Sequence, residues 1–250
     1  MNSGVFGQDG YAVRLEWGGE GVDALAPECG AVIIVDVLSF STSVDIAVGR
    51  GARVLPLPHR HSDPRAQRAA QAADAVLAAA KGEPGWSLSP ASLLDLPTDT
   101  LLALPSPNGA TLSARAAGFA TAVFAGSLRN ADAVAKAAAD AAGGRPIGVI
   151  PAGERWGITE GPLRPGIEDY LGAGAIAAAL LDRCDHLSPE IRLAAYAFRS
   201  ATAELDTLLA DSISGRELAE IDMVADVRLA AELNSSTVVP RLVDGIYSGW

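Results

Sequence analysis

Cysteine is nearly absent from this chain: Cys29 and Cys184 stand alone, and they form no Cys-x-x-Cys pair. That excludes a disulfide framework and a thiolate zinc or redox centre, and points to a reduced, cytoplasmic setting. Basic residues are the scarcer charge, 19 Lys and Arg against 30 Asp and Glu, for a formal net charge of −11 with no Lys/Arg-rich block. Such a chain repels a phosphate backbone, so nucleic acid is excluded as a partner. No apolar run reaches bilayer-spanning length, and Met1 to Gly10 has neither a basic leader nor an apolar core, so nothing directs the chain to a membrane or to export. Common nucleophile and phosphate signatures are missing too. There is no Asp-x-Asp after a strand, no Gly-x-Ser-x-Gly elbow, no Walker Gly-Lys-Ser/Thr, and no cysteine with an arginine six positions later. No repeat of solenoid period occurs.

What is present is a globular balance, 49% hydrophobic and 20% charged. Short β-rich runs lie at Tyr11 to Trp17, Val32 to Val37, Ala52 to Leu57, Leu101 to Leu104, Thr121 to Ala125 and Ile147 to Ile150. Helical stretches are predicted at Ser41 to Arg50, Pro64 to Lys81, Gly109 to Gly118, Asn130 to Ala142, Ile167 to Leu181, Pro189 to Leu209 and Gly215 to Leu233. Their alternation predicts an α/β fold, a mainly parallel sheet with helices on both faces, in one compact unit of two lobes spanning residues 1–250. Gly82 to Thr100, rich in Pro, Ser and Gly, either joins the lobes or folds over a site.

In open α/β sheets ligands bind beyond the carboxyl ends of the strands. The residues there are polar in four places: Asp36 with Ser39, Ser41, Thr42 and Ser43; Ser106 to Thr111 around Asn108-Gly109; Gly126 to Asn130; and Ala152-Gly153-Glu154-Arg155. Beside free helix N–H groups they outline an anion site, although Ser41, Thr42, Asn108 and Asn130 also suit plain helix capping. Asp36 ends an apolar strand, where a carboxylate is costly unless it meets a metal, an arginine or several donors. Glu168-Asp169 opens a helix, where the macrodipole alone favours acids. His59 and His61 could reach the same edge as metal ligands, and a polar loop explains them equally well. Gly172 to Ala175 lies inside a helix and reads as close packing, and Gly18 to Gly21 reads as a turn.

Taken in order, these segments resemble the 2-phosphosulfolactate phosphatase (ComB-like) family. Asp36-Val37-Leu38 with Ser41-Thr42-Ser43 is similar to its Asp-Val-Leu-Arg-Ala-Ser/Thr-Thr-Thr, Ser89-Pro90 to its Asn-Ser-Pro, and Asn108-Gly109 to its Thr-Thr-Asn-Gly-Thr. Gly126-Ser127-Leu128-Arg129-Asn130-Ala131 resembles Gly-Ser-Phe-Leu-Asn-Ala, Ala152-Gly153 resembles Cys-Ala-Gly, and Glu168-Asp169 with Ala173-Gly174 resembles Glu-Asp-x-x-x-Ala-Gly. Asp226-Val227 and Val239-Pro240 resemble its C-terminal part, so the likeness runs from Val32 to Pro240.

The resemblance implies an α/β fold, Mg²⁺, and hydrolysis of 2-phospho-3-sulfolactate to sulfolactate and phosphate, a step toward coenzyme M. It implies catalytic and metal-binding roles for Asp36, Glu168 and Asp169. Substrate contacts are expected from Ser41, Thr42, Asn108, Gly109, Asn130 and Gly153, with Arg129, Arg155 and Arg164 supplying positive charge. Two positions depart: the family's arginine is Ser39 here, and its cysteine is Pro151, which rules out a cysteine nucleophile there. The partner expected is thus a small anionic phosphorylated substrate, with no nucleic acid and no membrane; a homodimer is left open. Two rival readings stay open as well: a non-catalytic α/β module binding a small anion or nucleotide, and a lyase or isomerase acting on a phosphorylated acid.

Overall fold

A computed structural model describes residues 3–157 and 161–250; Met1 and Asn2, part of the Met1 to Gly10 stretch read above, lie outside the described residues. The main strands are β1 (Val13–Leu15), β2 (Ala31–Val35), β3 (Arg53–Leu57), β4 (Val76–Leu77), β5 (Leu101–Pro105), β6 (Ala122–Gly126) and β7 (Ile147–Pro151). Two hairpins add β8 (Glu154–Arg155) with β9 (Leu163–Arg164), and β10 (Pro240–Val243) with β11 (Ile246–Gly249). Each strand predicted from the apolar runs is present, with ends shifted by a residue or two.

Nine strands form one sheet in the order β1-β7-β2-β6-β10-β11-β3-β5-β4. β1, β7, β2 and β6 are mutually parallel, as are β3, β5 and β4. Between these blocks the β10–β11 hairpin pairs antiparallel to β6 on one side and β3 on the other. Three successive reversals therefore give the two blocks opposite polarity along the ladder. The sheet is mainly parallel, as the sequence predicts, and Pro240 to Trp250, where it predicts no strand, supplies the antiparallel hairpin inserted mid-sheet.

Opposite polarity does not separate the carboxyl ends. The five steps from β2 to β5 would span about 24 Å in a flat sheet, yet the Gly109 N–H following β5 reaches Asp36 following β2 at 2.8 Å. The two segments leave the sheet and meet, which the twist of a sheet this wide assists. The helix Phe40–Gly49 carries the chain from the first block to the second and Gly109–Ala116 carries it back, and both begin beside Asp36.

β2 reads Ala-Val-Ile-Ile-Val and is buried along its whole length, as a central parallel strand must be when covered on both faces. On one face the helices Ala131–Ala142, Ile167–Leu180 and Pro189–Ala201 pack over Ile33, Val35 and Phe124. Gly174 allows the last two to approach, since a Cβ there would collide with the Ala194 carbonyl. Four expectations need correction. Gly215 to Leu233 is two helices, Ile213–Glu220 and Val224–Ala231, parted where Asp222 takes a left-handed backbone (φ 61°). Pro64 to Lys81 is helical only to Ala72; Asp74 then takes a left-handed backbone (φ 51°) and Val76–Leu77 become the edge strand on β5. Gly18 to Gly21 opens a helix, Gly18–Leu25, rather than a turn. Pro189 to Leu209 is broken by a 3₁₀ turn at Thr202–Glu204. No helix among the described residues is long and apolar enough to cross a membrane.

Candidate active site

Asp36 is 5% exposed, and both of its oxygens are held by the starts of helices. The Phe40 N–H donates to Oδ1 at 3.2 Å and the Gly109 N–H to Oδ2 at 2.8 Å. Two N-termini thus point their partial positive charge at one carboxylate. Glycine is required at 109, because a Cβ would stand 2.8 Å from Asp36 Oδ2 and inside the Phe40 ring. Beneath it, the Ser41 hydroxyl accepts from the Asp36 N–H and donates to the Ile34 carbonyl, and the Thr42 hydroxyl donates to the Val37 carbonyl.

Asp169 ties two post-strand loops together, accepting from the Val37 N–H at 2.7 Å and the Gly153 N–H at 2.8 Å. Gly153 has φ +64°, a conformation that favours glycine. Glu168, 2% exposed, accepts from the Ser214 hydroxyl at 2.6 Å. Glu154, the first residue of β8, accepts from the Asn108 amide at 3.0 Å.

These four carboxylates act on one another. Burial raises the pKa of Asp36 above the usual aspartate range, Glu168 adds to this, and the bonds from Phe40 and Gly109 and the Lys81 charge oppose it. Asp169 is raised well above its ordinary value by burial, then by Asp36 and Glu168. Glu154 is pushed up to about 7, first by burial and then by Asp36, against the Asn108 bond, with Glu168 raising it further and Arg164 lowering it. An acid poised near neutrality in a cleft is suited to proton transfer.

Glu154 and Asn108 line a cleft of about 730 Å³ whose wall includes Arg155, Arg164, Trp156 and Pro107. Of the expected set, Asn108, Arg155 and Arg164 line this cleft, Asp36, Gly109, Gly153 and Asp169 are linked to one another and to its loops by the hydrogen bonds above, and Glu168 acts on Glu154 through its charge. Ser41 and Thr42 lie one layer below, bonded to backbone. Arg129 and Asn130 are placed elsewhere. The Arg129 guanidinium donates to Asp45 at 2.9 Å, to the Leu229 carbonyl and to Glu232, while the Asn130 side chain bonds Ser127 and the Ala125 and Val238 carbonyls. Their polar atoms brace the C-terminal segment, which corrects the substrate contacts expected of them.

Three residues of the site are not singled out by the sequence. Glu154 stands in a post-strand segment already marked as polar, so its signal was available. Lys81 is hidden by a helix predicted to run through it, and Ser214 carries no signal apart from the fold. Among the described residues no three His, Cys, Asp or Glu side chains already stand together as a metal cage, His59 and His61 included. The donor set still suits Mg²⁺ on chemical grounds. Asp36, Glu168 and Glu154 offer carboxylate oxygens near one another, and Mg²⁺ is commonly held by one or two carboxylates, waters and substrate phosphate rather than by an all-protein cage.

An α/β sheet whose post-strand loops bring carboxylates, arginines and two helix starts to one cleft defines the class, an α/β enzyme for a small anionic substrate. More particularly, the chain belongs to the 2-phosphosulpholactate phosphatase family, whose model matches residues 22–245. It is also 30% identical over 219 residues to a protein of Deinococcus radiodurans described as a probable 2-phosphosulfolactate phosphatase, a match covering 85% of this chain and 88% of that one.

Proposed function

We propose that this chain is a Mg²⁺-dependent phosphatase of a small phosphorylated hydroxy acid, 2-phosphosulfolactate being the substrate its family indicates, acting in the cytoplasm on a route to coenzyme M. The observation that carries the reading is the meeting of Asp36, Glu168 and Glu154 beside Asn108 at a cleft that also holds Arg155 and Arg164.

In this reading Asp36 and Glu168 hold the cation, and Asp169 fixes the loops on either side of it. When bound, the cation neutralises phosphoryl charge and lowers the pKa of a water. Water attacks phosphorus, the bond from phosphorus to the substrate's alkoxide oxygen breaks, Glu154 delivers its proton to that departing oxygen, and the proton given up by the attacking water restores Glu154 to its acid form as phosphate leaves. Asn108 orients Glu154 for the transfer, and Arg155 and Arg164 receive an acid group of the substrate. Phosphate release from a panel of phosphorylated hydroxy acids, with Mg²⁺ and with excess chelator, tests this. Release confined to the Mg²⁺ samples is the expected outcome; full turnover in chelator overturns the metal mechanism, and no turnover of any compound overturns the reaction.

A further inference from the structure

Lys81 is, among the described residues, the one lysine that the fold turns toward the acid cluster. The edge strand β4 runs on through Ala78, whose N–H bonds the Ala103 carbonyl, and Ala79, whose N–H bonds the Trp86 carbonyl, so the backbone leading to Lys81 is fixed. Its ammonium donates to the Ser39 hydroxyl at 3.1 Å, and Ser39 is itself buried. Among the described residues no carboxylate lies within ion-pair distance of Nζ. An ammonium has three donors, and a single neutral hydroxyl leaves two directions for another acceptor.

The charged groups around Lys81 act on it in the opposite sense to its burial. Burial lowers its pKa, while Asp226, Asp36 and Glu154, in that order, oppose the loss of the proton. Asp226 is buried; its Oδ1 accepts from the Ser89 hydroxyl and the Ala91 N–H, and its Oδ2 has no hydrogen-bond partner among the described residues. Lys81 faces a cavity of about 270 Å³ that shares Arg60 and Pro107 with the larger cleft containing Glu154. A ligand with two charged ends can therefore lie across Pro107, its reacting end near Glu154 and its other end near the ammonium.

From this geometry we propose that Lys81 receives the acid group of the substrate that does not react, the carboxylate or sulfonate, and so selects phosphorylated acids over simple phosphate esters. Ser39 is a positioning residue that aims the ammonium. The inference rests on the phosphatase reading for its substrate class, and its test separates the two.

Lys81→Met, Lys81→Arg and Ser39→Ala are compared with the parent on 2-phosphosulfolactate, 2-phospholactate and isopropyl phosphate, in the presence of Mg²⁺, with Tm recorded for each. Removing a charged hydrogen bond should lower kcat/KM of Lys81→Met on 2-phosphosulfolactate by roughly 10- to 150-fold. The loss should appear mainly in KM and be at least about tenfold smaller on isopropyl phosphate, with Lys81→Arg retaining part of the activity and Ser39→Ala raising KM with little change in kcat. An equal loss on 2-phospholactate assigns Lys81 to the carboxylate, and a loss confined to 2-phosphosulfolactate assigns it to the sulfonate. An equal loss on all three compounds, or none, overturns the proposal. Calorimetric binding of 3-sulfolactate gives a reading without turnover. If no compound is hydrolysed yet sulfolactate binds the parent and not Lys81→Met, the phosphatase reading falls and the Lys81 assignment stands; binding unchanged in Lys81→Met, or absent from the parent, removes the assignment.

Discussion

The loops after β2 and after β6 are written in one idiom and put to opposite uses. Each leaves a buried strand, passes through small polar residues and enters a helix, Asp36 to Ser43 in one case and Ser127 to Asn130 in the other. The first holds Asp36 close enough to act on Glu154, which lines the cleft. The second is sealed from a distance: the Asn234 and Ser236 N–H groups donate to the Leu128 and Arg129 carbonyls, and Asn130 donates to the Val238 carbonyl. A post-strand position makes a polar side chain available for binding, and a segment about a hundred residues away decides whether it is used so.

The largest effect should come from breaking the first loop. Asp169→Ala would strand the buried Val37 and Gly153 N–H groups, each costing about 1–3 kcal/mol, so denaturant unfolding should show a loss of roughly 2–6 kcal/mol with turnover collapsing as well. Full activity in a destabilised Asp169→Ala would show that this bridge does not shape the site. Glu154→Gln should instead spare the fold and lower kcat by about 10²- to 10⁴-fold, the range for a general acid. The parent rate should fall as pH rises through about 7, where Glu154 gives up its proton, and the variant should lack that limb. Linkage has the same sign. A carboxyl raised in the folded state holds its proton between its ordinary pKa and about 7, so the metal-free protein should lose stability as pH rises through that window, and Glu154→Gln should not.

Arg129 tests the sealed loop. Asp45 is 1% exposed and pairs with Arg129 at 2.9 Å, so Arg129→Ala leaves a buried carboxylate short of its partner. Breaking such a pair costs about 3 kcal/mol or somewhat more, read as a lower denaturation midpoint. kcat/KM measured well below that midpoint should be unchanged, whereas Arg164→Ala should raise KM with little effect on stability. A KM defect in Arg129→Ala would mean that the loop after β6 reaches substrate after all.

How much of this was legible follows from which information is local. β2 and the Asp36 that ends it were readable, because a carboxylate closing an apolar run is costly to bury unless charge or several donors meet it. The family likeness raised Glu168 and Asp169, which by local sequence alone were ordinary helix-start acids. The division of labour was not readable. Asp169 faces backbone donors from two other loops, while Glu168 faces Ser214, 46 residues away. Lys81 was missed because the alanine-rich stretch before it has high helix propensity, which the pairing of Val76 and Leu77 with β5 overrides. The hairpin at the C-terminus was missed because its strands are short and complete the sheet only between two blocks already formed.

The finest test is a matched pair of serines. Ser236 donates its hydroxyl to Asp45 at 2.6 Å beneath the sealed loop, and Ser214 donates to Glu168 at 2.6 Å beneath the first one. Ser→Ala at either position removes the same atom from a buried carboxylate and should cost about 1–3 kcal/mol, with Ser236 also giving up its bond from the Val238 N–H. The change at the carboxylate is the same in both, so a difference in Mg²⁺ dependence reports the use of the carboxylate. In the proposed mechanism Glu168 holds the cation, and without the Ser214 bond its oxygen is free to turn. Ser214→Ala should therefore shift the Mg²⁺ concentration giving half-maximal activity, while Ser236→Ala should leave it unchanged. Equal Mg²⁺ dependence in the two variants, with equal losses of stability, would make Glu168 a brace like Asp45 and leave Asp36 and Glu154 as the carboxylates on which the chemistry rests.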